Sequence, residues 1–214
     1  MKSCALFTAL LLITHLSAWA QLFEKTYQVP GLGLASSHGV FLSDGNLIQT
    51  GCLSPSPAQH AILLSKLQAS DGDTIWSKIF HAPNMLMSGT QVVETDNHHL
   101  IVTANGVDSG NANNYHHVFL LDLDSNGNLL QSATYDNLGG YSGMYSTGMR
   151  FFPDHSLITM SVSYDSLGIV IQKHGPGGAL LFSKSILPLG TAGLSGGAFF
   201  DVIRKGDAYY FVGD

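Results

Sequence analysis

Charged residues are scarce in this sequence, and their scarcity limits the folds that it can adopt. Asp, Glu, Lys and Arg make up 11% of the chain, and only two glutamates occur, Glu24 and Glu94. Helices on a protein surface need many such residues on their solvent side, so a helical fold is disfavoured. The chain instead contains 24 glycines and few strong helix formers, a composition that favours strands joined by tight turns.

Cysteine and clusters of basic residues are lacking as well. Of the two cysteines, Cys4 lies in residues 1–20, which we expect to be removed as a leader. Cys52 then remains alone, and an intramolecular disulfide is excluded. Stability must therefore come from packing and strand pairing. The nine Lys and Arg are dispersed, and the formal charge of −6 becomes −7 when Lys2 leaves with the leader. A nucleic-acid partner is therefore not expected.

Residues 1–20 have the pattern of a secretory signal peptide. Lys2 precedes an apolar run over residues 5–16, which is too short for a permanent membrane-spanning helix. Ala18-Trp19-Ala20 then has small residues at the two positions that signal peptidase requires. We expect cleavage near Ala20, a secreted or cell-surface location, and no transmembrane segment in the mature chain.

A repeat of roughly fifty residues covers the rest of the chain. The signature Trp76-Ser77-Lys78 recurs at 182–184, with a weaker copy at 131–133, and each copy follows a glycine turn at intervals of 55 and 51 residues. Three further apolar segments with hairpin turns precede each signature, so each unit contains four strands. Four short antiparallel strands in succession form one blade of a β-propeller.

The repeat therefore predicts an all-β, β-propeller-like fold with four-stranded antiparallel blades of about 51–57 residues. Three full units and two partial ones indicate an incomplete ring, because propellers usually have four to eight blades. We expect the remaining blades in a longer chain; a compact four-bladed ring and an assembly across chains are the alternatives. The predicted segments are an orphan last strand at 22–27, full units at about 37–80, 89–135 and 147–186, and a partial unit at 196–214.

The first full unit resembles the propeller-like repeats of large proteins that bacteria secrete, often through the type IX system. It carries Asp44-Gly45, Thr50-Gly51, Lys66-Leu67 and Trp76-Ser77-Lys78, and the likeness covers nearly the whole mature chain. Later units lose the tryptophan, and the C-terminal sorting domain of those proteins is not present in this sequence. The resemblance implies a propeller-like fold and an extracellular location. It implies no catalytic residue, because the group has no single activity.

Two patterns suggest a metal site, and a plain structural explanation competes with each. The segment 122–128 imitates the start of a calcium loop, but its twelfth position is Ala133 in place of the bidentate acid. The doublets His98-His99 and His116-His117 lie at opposite ends of the predicted hairpin, and adjacent strand residues point to opposite faces. We therefore expect a hairpin turn, no metal site and no cofactor.

Recurring aspartates also favour a structural role over a catalytic one. Asp44, Asp96 and Asp154 follow the first strand of each full unit. A reaction needs its acid once, whereas a turn needs its aspartate in every unit. We therefore predict that these residues stabilise turns.

Segments that do not repeat are better candidates for a binding site. The connections after the second and fourth strands are read as long and unequal, over residues 53–59, 81–88, 105–115 and 137–145. Binding residues commonly lie on such variable loops. Our candidate ligand-binding residues are Tyr115, Tyr141 and Tyr145.

These observations predict a secreted or cell-surface binding module for a protein or a glycan, without catalysis of its own. A propeller-fold hydrolase or lyase is the rival hypothesis, with acids from different blades converging at the axis. The charged residues on the predicted first strands are Arg150 and Asp201. A purely structural spacer of a larger surface protein is the third possibility.

Overall fold

The computed structural model describes residues 27, 33–56, 59–109, 116–135, 144–163, 169–175, 179–186 and 199–213. These residues form strands and turns, and no helix among them is long and apolar enough to cross a membrane. The described strands are β1 (Gly33–Phe41), β2 (Leu47–Ser56), β3 (Gln59–Leu67), β4 (Thr74–Phe80), β5 (Met85–Glu94), β6 (Leu100–Asp108), β7 (His116–Leu123), β8 (Leu129–Tyr135), β9 (Met144–Phe151), β10 (Leu157–Ser163), β11 (Ile169–His174), β12 (Leu180–Ile186), β13 (Phe199–Lys205) and β14 (Ala208–Gly213).

The strands form four antiparallel sheets in chain order: sheet 1 is β1–β4, sheet 2 is β5–β8, sheet 3 is β9–β12 and sheet 4 is β13–β14. The predicted all-β, propeller-like fold is confirmed. The ring is open, since among the described strands neither β13 nor β14 packs extensively against any strand of sheet 1. In sheets 1, 2 and 3, the first strand starts three or four residues before the predicted unit. Its backbone pairing with the second strand extends beyond the apolar residues from which the unit was predicted.

The first strand of each sheet lies innermost. β5 contacts β1, β2 and β3 of sheet 1, β9 contacts β5, β6 and β7 of sheet 2, and β13 contacts β9. The sheets therefore stack face to face. We call the face of a sheet that points to the preceding sheet its leading face, and the opposite face its trailing face.

Sheet 2 lies between sheets 1 and 3, and both of its faces are apolar. Leu100 packs in the core shared with sheet 1, whereas the adjacent Ile101 packs in the core shared with sheet 3. Successive side chains of a strand point to opposite faces, so a strand buried on both sides reads as a continuous apolar run. Each buried apolar Å² contributes roughly 25 cal/mol. The stacking of sheets is therefore the main source of stability.

The turns between first and second strands share one backbone conformation. Their fourth residues, Gly45, His98 and His155, have φ of 82°, 60° and 58°. The strand registers align Asp44 with Asp154, but the equivalent residue in sheet 2 is Asn97. The predicted recurrence of aspartate at one turn position is therefore wrong for sheet 2, because Asp96 stands one position earlier.

Asp96 instead joins its turn to the next sheet. Its Oδ2 lies 3.5 Å from Nδ1 of His155 in the turn of sheet 3. The equivalent contact between sheets 1 and 2 is Ser43 Oγ to His98 Nδ1, at 3.0 Å. At the third junction Asp154 forms an ion pair with Arg204. Polar residues of the turns therefore connect successive sheets, which supports a structural role for their repetition.

Two of the four connections on the opposite face are shorter than the sequence indicated. β2 continues to Ser56 and β3 begins at Gln59, so only residues 57 and 58 join them. β5 begins at Met85, which reduces the next connection to 81–84. Both strands extend because Leu53 and Met87 are buried and hold the ladder together beyond the predicted strand ends. The longer connections are 109–115 and 136–143.

The ion pair of Asp154 predicts a loss of stability in acid. The hydroxyl of Ser156, together with Arg204, lowers the pKa of Asp154 from 3.8 to about 2, although burial opposes the shift. A carboxyl with a lowered pKa stabilises the fold above pH 3.8, and this contribution disappears as the pH falls towards 2. We expect the melting temperature of Asp154→Asn to depend less on pH than that of the wild type between pH 4 and 2.

Asp71→Asn is the matched control for this measurement. Asp71 accepts a turn hydrogen bond from the backbone N–H of Asp73, and an asparagine oxygen accepts the same bond. Its melting curve should keep the pH dependence of the wild type. Equal pH dependence in Asp154→Asn and the wild type would contradict the prediction.

Candidate functional site

Trp76 and Lys78 of the repeated signature close the gap between sheets 1 and 2. Both side chains lie over the turn that follows β7, and Lys78 Nζ donates to Asn128 Oδ1 at 3.3 Å. Gly127 of this turn has φ of 76°, and a Cβ there would lie 2.8 Å from Cη2 of Trp76. Only glycine permits both this conformation and this close approach. The tryptophan of one unit therefore fits the glycine turn of the next.

The calcium-like pattern is a hairpin turn, as the sequence predicted. Asp124 Oδ1 accepts the backbone N–H groups of Asn126 and Asn128, at 2.9 and 2.8 Å. These bonds, led by those from Asn128, lower the pKa of Asp124. Throughout the described ranges, no three His, Cys, Asp or Glu side chains are grouped closely enough to hold a metal ion.

The corresponding gap between sheets 2 and 3 is open. The registers place Gln131 where sheet 1 has Trp76, and Ala133 where it has Lys78. A cleft of about 250 Å³ lies beside these smaller residues, and we call it the inter-sheet cleft. Its lining residues are Thr95, Asn97, His99, Ile101, Leu120, Asp122, Gln131, Ser132, Ala133, Phe151, His155, Leu157 and Gly175.

An imidazole and a carboxylate form the polar edge of the inter-sheet cleft. His99 Nδ1 lies 3.0 Å from Asp122 Oδ1, and Gln131 Nε2 donates to Asp122 Oδ2 at 3.4 Å. The side chain of His99 is 40% exposed and that of Asp122 is 12% exposed. The carboxylate is thus held in place by protein donors, while the imidazole faces the solvent in the cleft.

Apolar side chains also line the cleft. Leu120 and Leu157 are buried, and they pack together in the core between sheets 2 and 3. Phe151 is half-buried beside them, and its ring and the His155 ring are arranged edge to face with a centroid distance of 6.4 Å. The cleft therefore combines an apolar wall with a row of hydrogen-bonding groups, a lining typical of small-ligand sites.

None of the three tyrosines proposed from the sequence has a described side chain. Tyr115 and Tyr141 lie outside the described residues. Tyr145 pairs with Val162 in the ladder of β9 and β10, and only its backbone is described. Their role in binding remains a prediction.

The two histidine doublets lie at opposite ends of the hairpin of β6 and β7, as predicted. His99 immediately precedes β6, whereas His116 pairs with Val107 at the far end. His98 occupies its turn and approaches Ser43 and Glu94. The two doublets therefore lie in separate parts of the sheet.

The two charged residues that the sequence indicated on first strands bind each other. Arg150 on β9 and Asp201 on β13 form an ion pair, with Nη1 to Oδ1 at 3.4 Å. The pair joins sheets 3 and 4 and is about half exposed to solvent. Each side chain therefore has an opposite charge as its immediate partner.

Sequence reasoning missed the inter-sheet cleft, although a signal for it was present. The sequence indicated only a weaker copy of the signature in the second unit. Aligning Gln131 with Trp76 and Ala133 with Lys78 shows that two large side chains are replaced at once. When a large side chain fills the gap between two sheets, a smaller residue at the equivalent position of the next sheet indicates a cavity there.

The similarity of this chain to known proteins is low. No protein-family model and no curated protein matches the chain. A crystal structure of a protein of unknown function from Bacteroides caccae is 8% identical, with a TM-score of 0.30, over 75% of this chain and 70% of that one. The WD40 domain of SCAP from fission yeast is 13% identical, with a TM-score of 0.34, over 85% of this chain and 50% of that one.

The contact between Trp76 and Gly127 predicts a specific stability difference. Gly127→Ala should cost about 1 kcal/mol for the left-handed backbone, and about 1–3 kcal/mol more for displacing the ring. Gly45→Ala should cost only the first amount, because Gly45 also has positive φ but has nothing within 4 Å of its Cβ position. Urea denaturation measures both changes.

The same pair of substitutions in a Trp76→Gln background is the control. Without the ring, the difference between Gly127→Ala and Gly45→Ala should fall to the small cost of shifting the flexible Lys78 side chain, whose Cγ lies 3.1 Å from the Cβ position. An undiminished difference in this background would show that the ring is not its cause.

Proposed function

We propose that the protein is a secreted or cell-surface, non-catalytic binding module that holds one sugar residue of a glycan in the inter-sheet cleft. The observation that carries this proposal is the cleft itself, which opens where Gln131 and Ala133 replace the tryptophan and lysine of the repeat. Its position differs from the loop face that the sequence favoured.

The chemistry of the lining supports a sugar ligand. A sugar ring has an apolar C–H face and an edge of hydroxyl groups, each of which both donates and accepts hydrogen bonds. Phe151 and Leu157 supply an apolar wall, and Asn97, His99 and Asp122 supply acceptors and donors opposite to it. An aromatic wall beside directed polar groups suits such a ligand.

The size of the cleft supports a small ligand group. About 250 Å³ is slightly below the range of roughly 300–1,000 Å³ that holds drug-sized molecules. One ring of a larger glycan fits this volume, with the remaining rings in solvent. An amino-acid side chain of a protein partner has a similar size and is the alternative occupant.

Export is part of the proposal, and the leader pattern of residues 1–20 supports it. The resemblance to secreted bacterial repeats would then extend to their mode of export, including the type IX system. An extracellular location is also where a glycan ligand is encountered.

A variant that refills the cleft tests the binding proposal. Gln131→Trp with Ala133→Lys restores the signature of sheet 1 in sheet 2, so the new ring should occupy the cleft and exclude the ligand. We expect the wild type to retain at least one glycan of an oligosaccharide array, and the refilled variant to lose that retention. Its melting temperature should be equal or higher, because a cavity is filled.

Gln59→Trp is the matched control, since it adds an exposed tryptophan at the other end of sheet 1. This variant should bind as the wild type does. Equal glycan binding by the refilled variant would refute the cleft as the site. Failure of the wild type to bind any glycan on the array would refute the sugar and favour a protein side chain.

The leader is tested separately. We expect the protein recovered from outside the cell to begin at Gln21, as determined by mass spectrometry. Ala18→Arg should block processing, because signal peptidase requires a small residue at this position. Recovery of a chain that retains residues 1–20 would contradict the export proposal while leaving the cleft proposal intact.

A further inference from the structure

The leading face of sheet 1 carries exposed apolar side chains, and no described sheet lies against it. Phe41 and Ile79 on this face are 66% and 54% exposed. A groove of about 680 Å³ runs along the face, and it is lined by Leu53, Leu63 and Leu67 together with serine, threonine and glutamine side chains. We call this surface the first end face.

The first end face has the residue pattern of an interface that occurs inside the chain. Leu63 and Leu67 occupy the same register positions as Phe119 and Leu123, which pack against sheet 1 in the core of the stack. In that junction, the leading face of sheet 2 packs against the trailing face of sheet 1. The first end face is therefore shaped for the trailing face of another sheet of this repeat.

Tyr27 indicates where the edge of such a sheet would lie. Its side chain lines the groove, and its hydroxyl donates to the carbonyl oxygen of Gly72. Gly72 has φ of 75° and occupies the same turn position as Gly127, which Trp76 of the preceding sheet covers. An aromatic residue thus meets the glycine turn at both places.

The trailing face of sheet 4 is the complementary surface. Val202, Tyr209 and Phe211 pack towards sheet 3, so alternation turns Ile203 and Tyr210 to the other side. These two residues are direct partners in the ladder of β13 and β14, and each is 55% exposed. We call this surface the second end face.

Among the described strands, the two end faces do not meet: neither β13 nor β14 packs extensively against sheet 1, and the extensive contacts of β13 run to β9. Exposed apolar patches of this kind commonly mark association sites. A leading face and a trailing face complement each other, so their pairing between molecules is head to tail.

We propose that copies of this protein associate head to tail, with the second end face of one copy packed on the first end face of the next. The occupant of the groove is thus the fourth sheet of a second copy. The association extends the stacking of sheets across the chain boundary. It does not depend on the glycan proposal.

Two face-specific variants test this association. The first carries Phe41→Glu and Ile79→Glu, and the second carries Ile203→Glu and Tyr210→Glu. All four side chains are about half exposed or more, so the substitutions should leave the fold intact, which circular dichroism checks. We expect the wild type to show species heavier than the monomer that increase with concentration in analytical ultracentrifugation, and each variant alone to lose all of them.

A mixture of the two variants distinguishes head-to-tail pairing from other modes. Each variant keeps one intact face, so an equimolar mixture should give a heterodimer and nothing heavier. A two-fold pairing of like faces predicts instead that one variant alone still dimerises, and this result would overturn the proposal. A wild type that stays monomeric at every concentration would overturn it too, in favour of closure within a chain.

Leu130→Glu with Leu181→Glu is the matched control. Both leucines are exposed on outer strands, β8 and β12, and neither lies on an end face. This variant should assemble as the wild type does. Loss of assembly here would show that general surface apolarity, and not the end faces, causes the association.

Discussion

The structure depends on one constraint, which is that each inner sheet has two apolar faces and needs a neighbour on both sides. Leu100 and Ile101 are adjacent in sequence, yet they pack in the cores of two different junctions. A sheet of this kind is not stable alone in water, because one of its faces would always be exposed. The stack exists because each sheet completes the core of the sheet before it.

The same constraint explains why departures from the repeat matter more than the repeat itself. Trp76 seals one junction by packing over Gly127, and the polar turns connect the sheets at their ends. When the second unit replaces that tryptophan with Gln131, the junction still holds through its inner strands but opens at its outer edge. A binding cleft therefore arises without any loss of the fold.

Much of the fold was predictable, because strand period and turn residues are local properties. The apolar segments, the hairpin turns and the four-strand unit follow from spacing along the chain. The turn at Asp124 was predicted as a plain hairpin turn because the twelfth position of the calcium-like segment lacks a ligand. The position of Asp96 was predicted wrongly. Its role depends on His155 in the next sheet, more than fifty residues away, and no local pattern reports that contact.

The sequence by itself determined the all-β class, the repeat and the order of its strands, since these depend on alternation and on glycine turns. Only the tertiary structure decided which residues form the site. Gln131 on β8, His99 just before β6 and Phe151 on β9 belong to two different sheets, and they meet because stacking brings one trailing face to one leading face. A cavity is a property of what two surfaces fail to fill, so it exists only once both are in place.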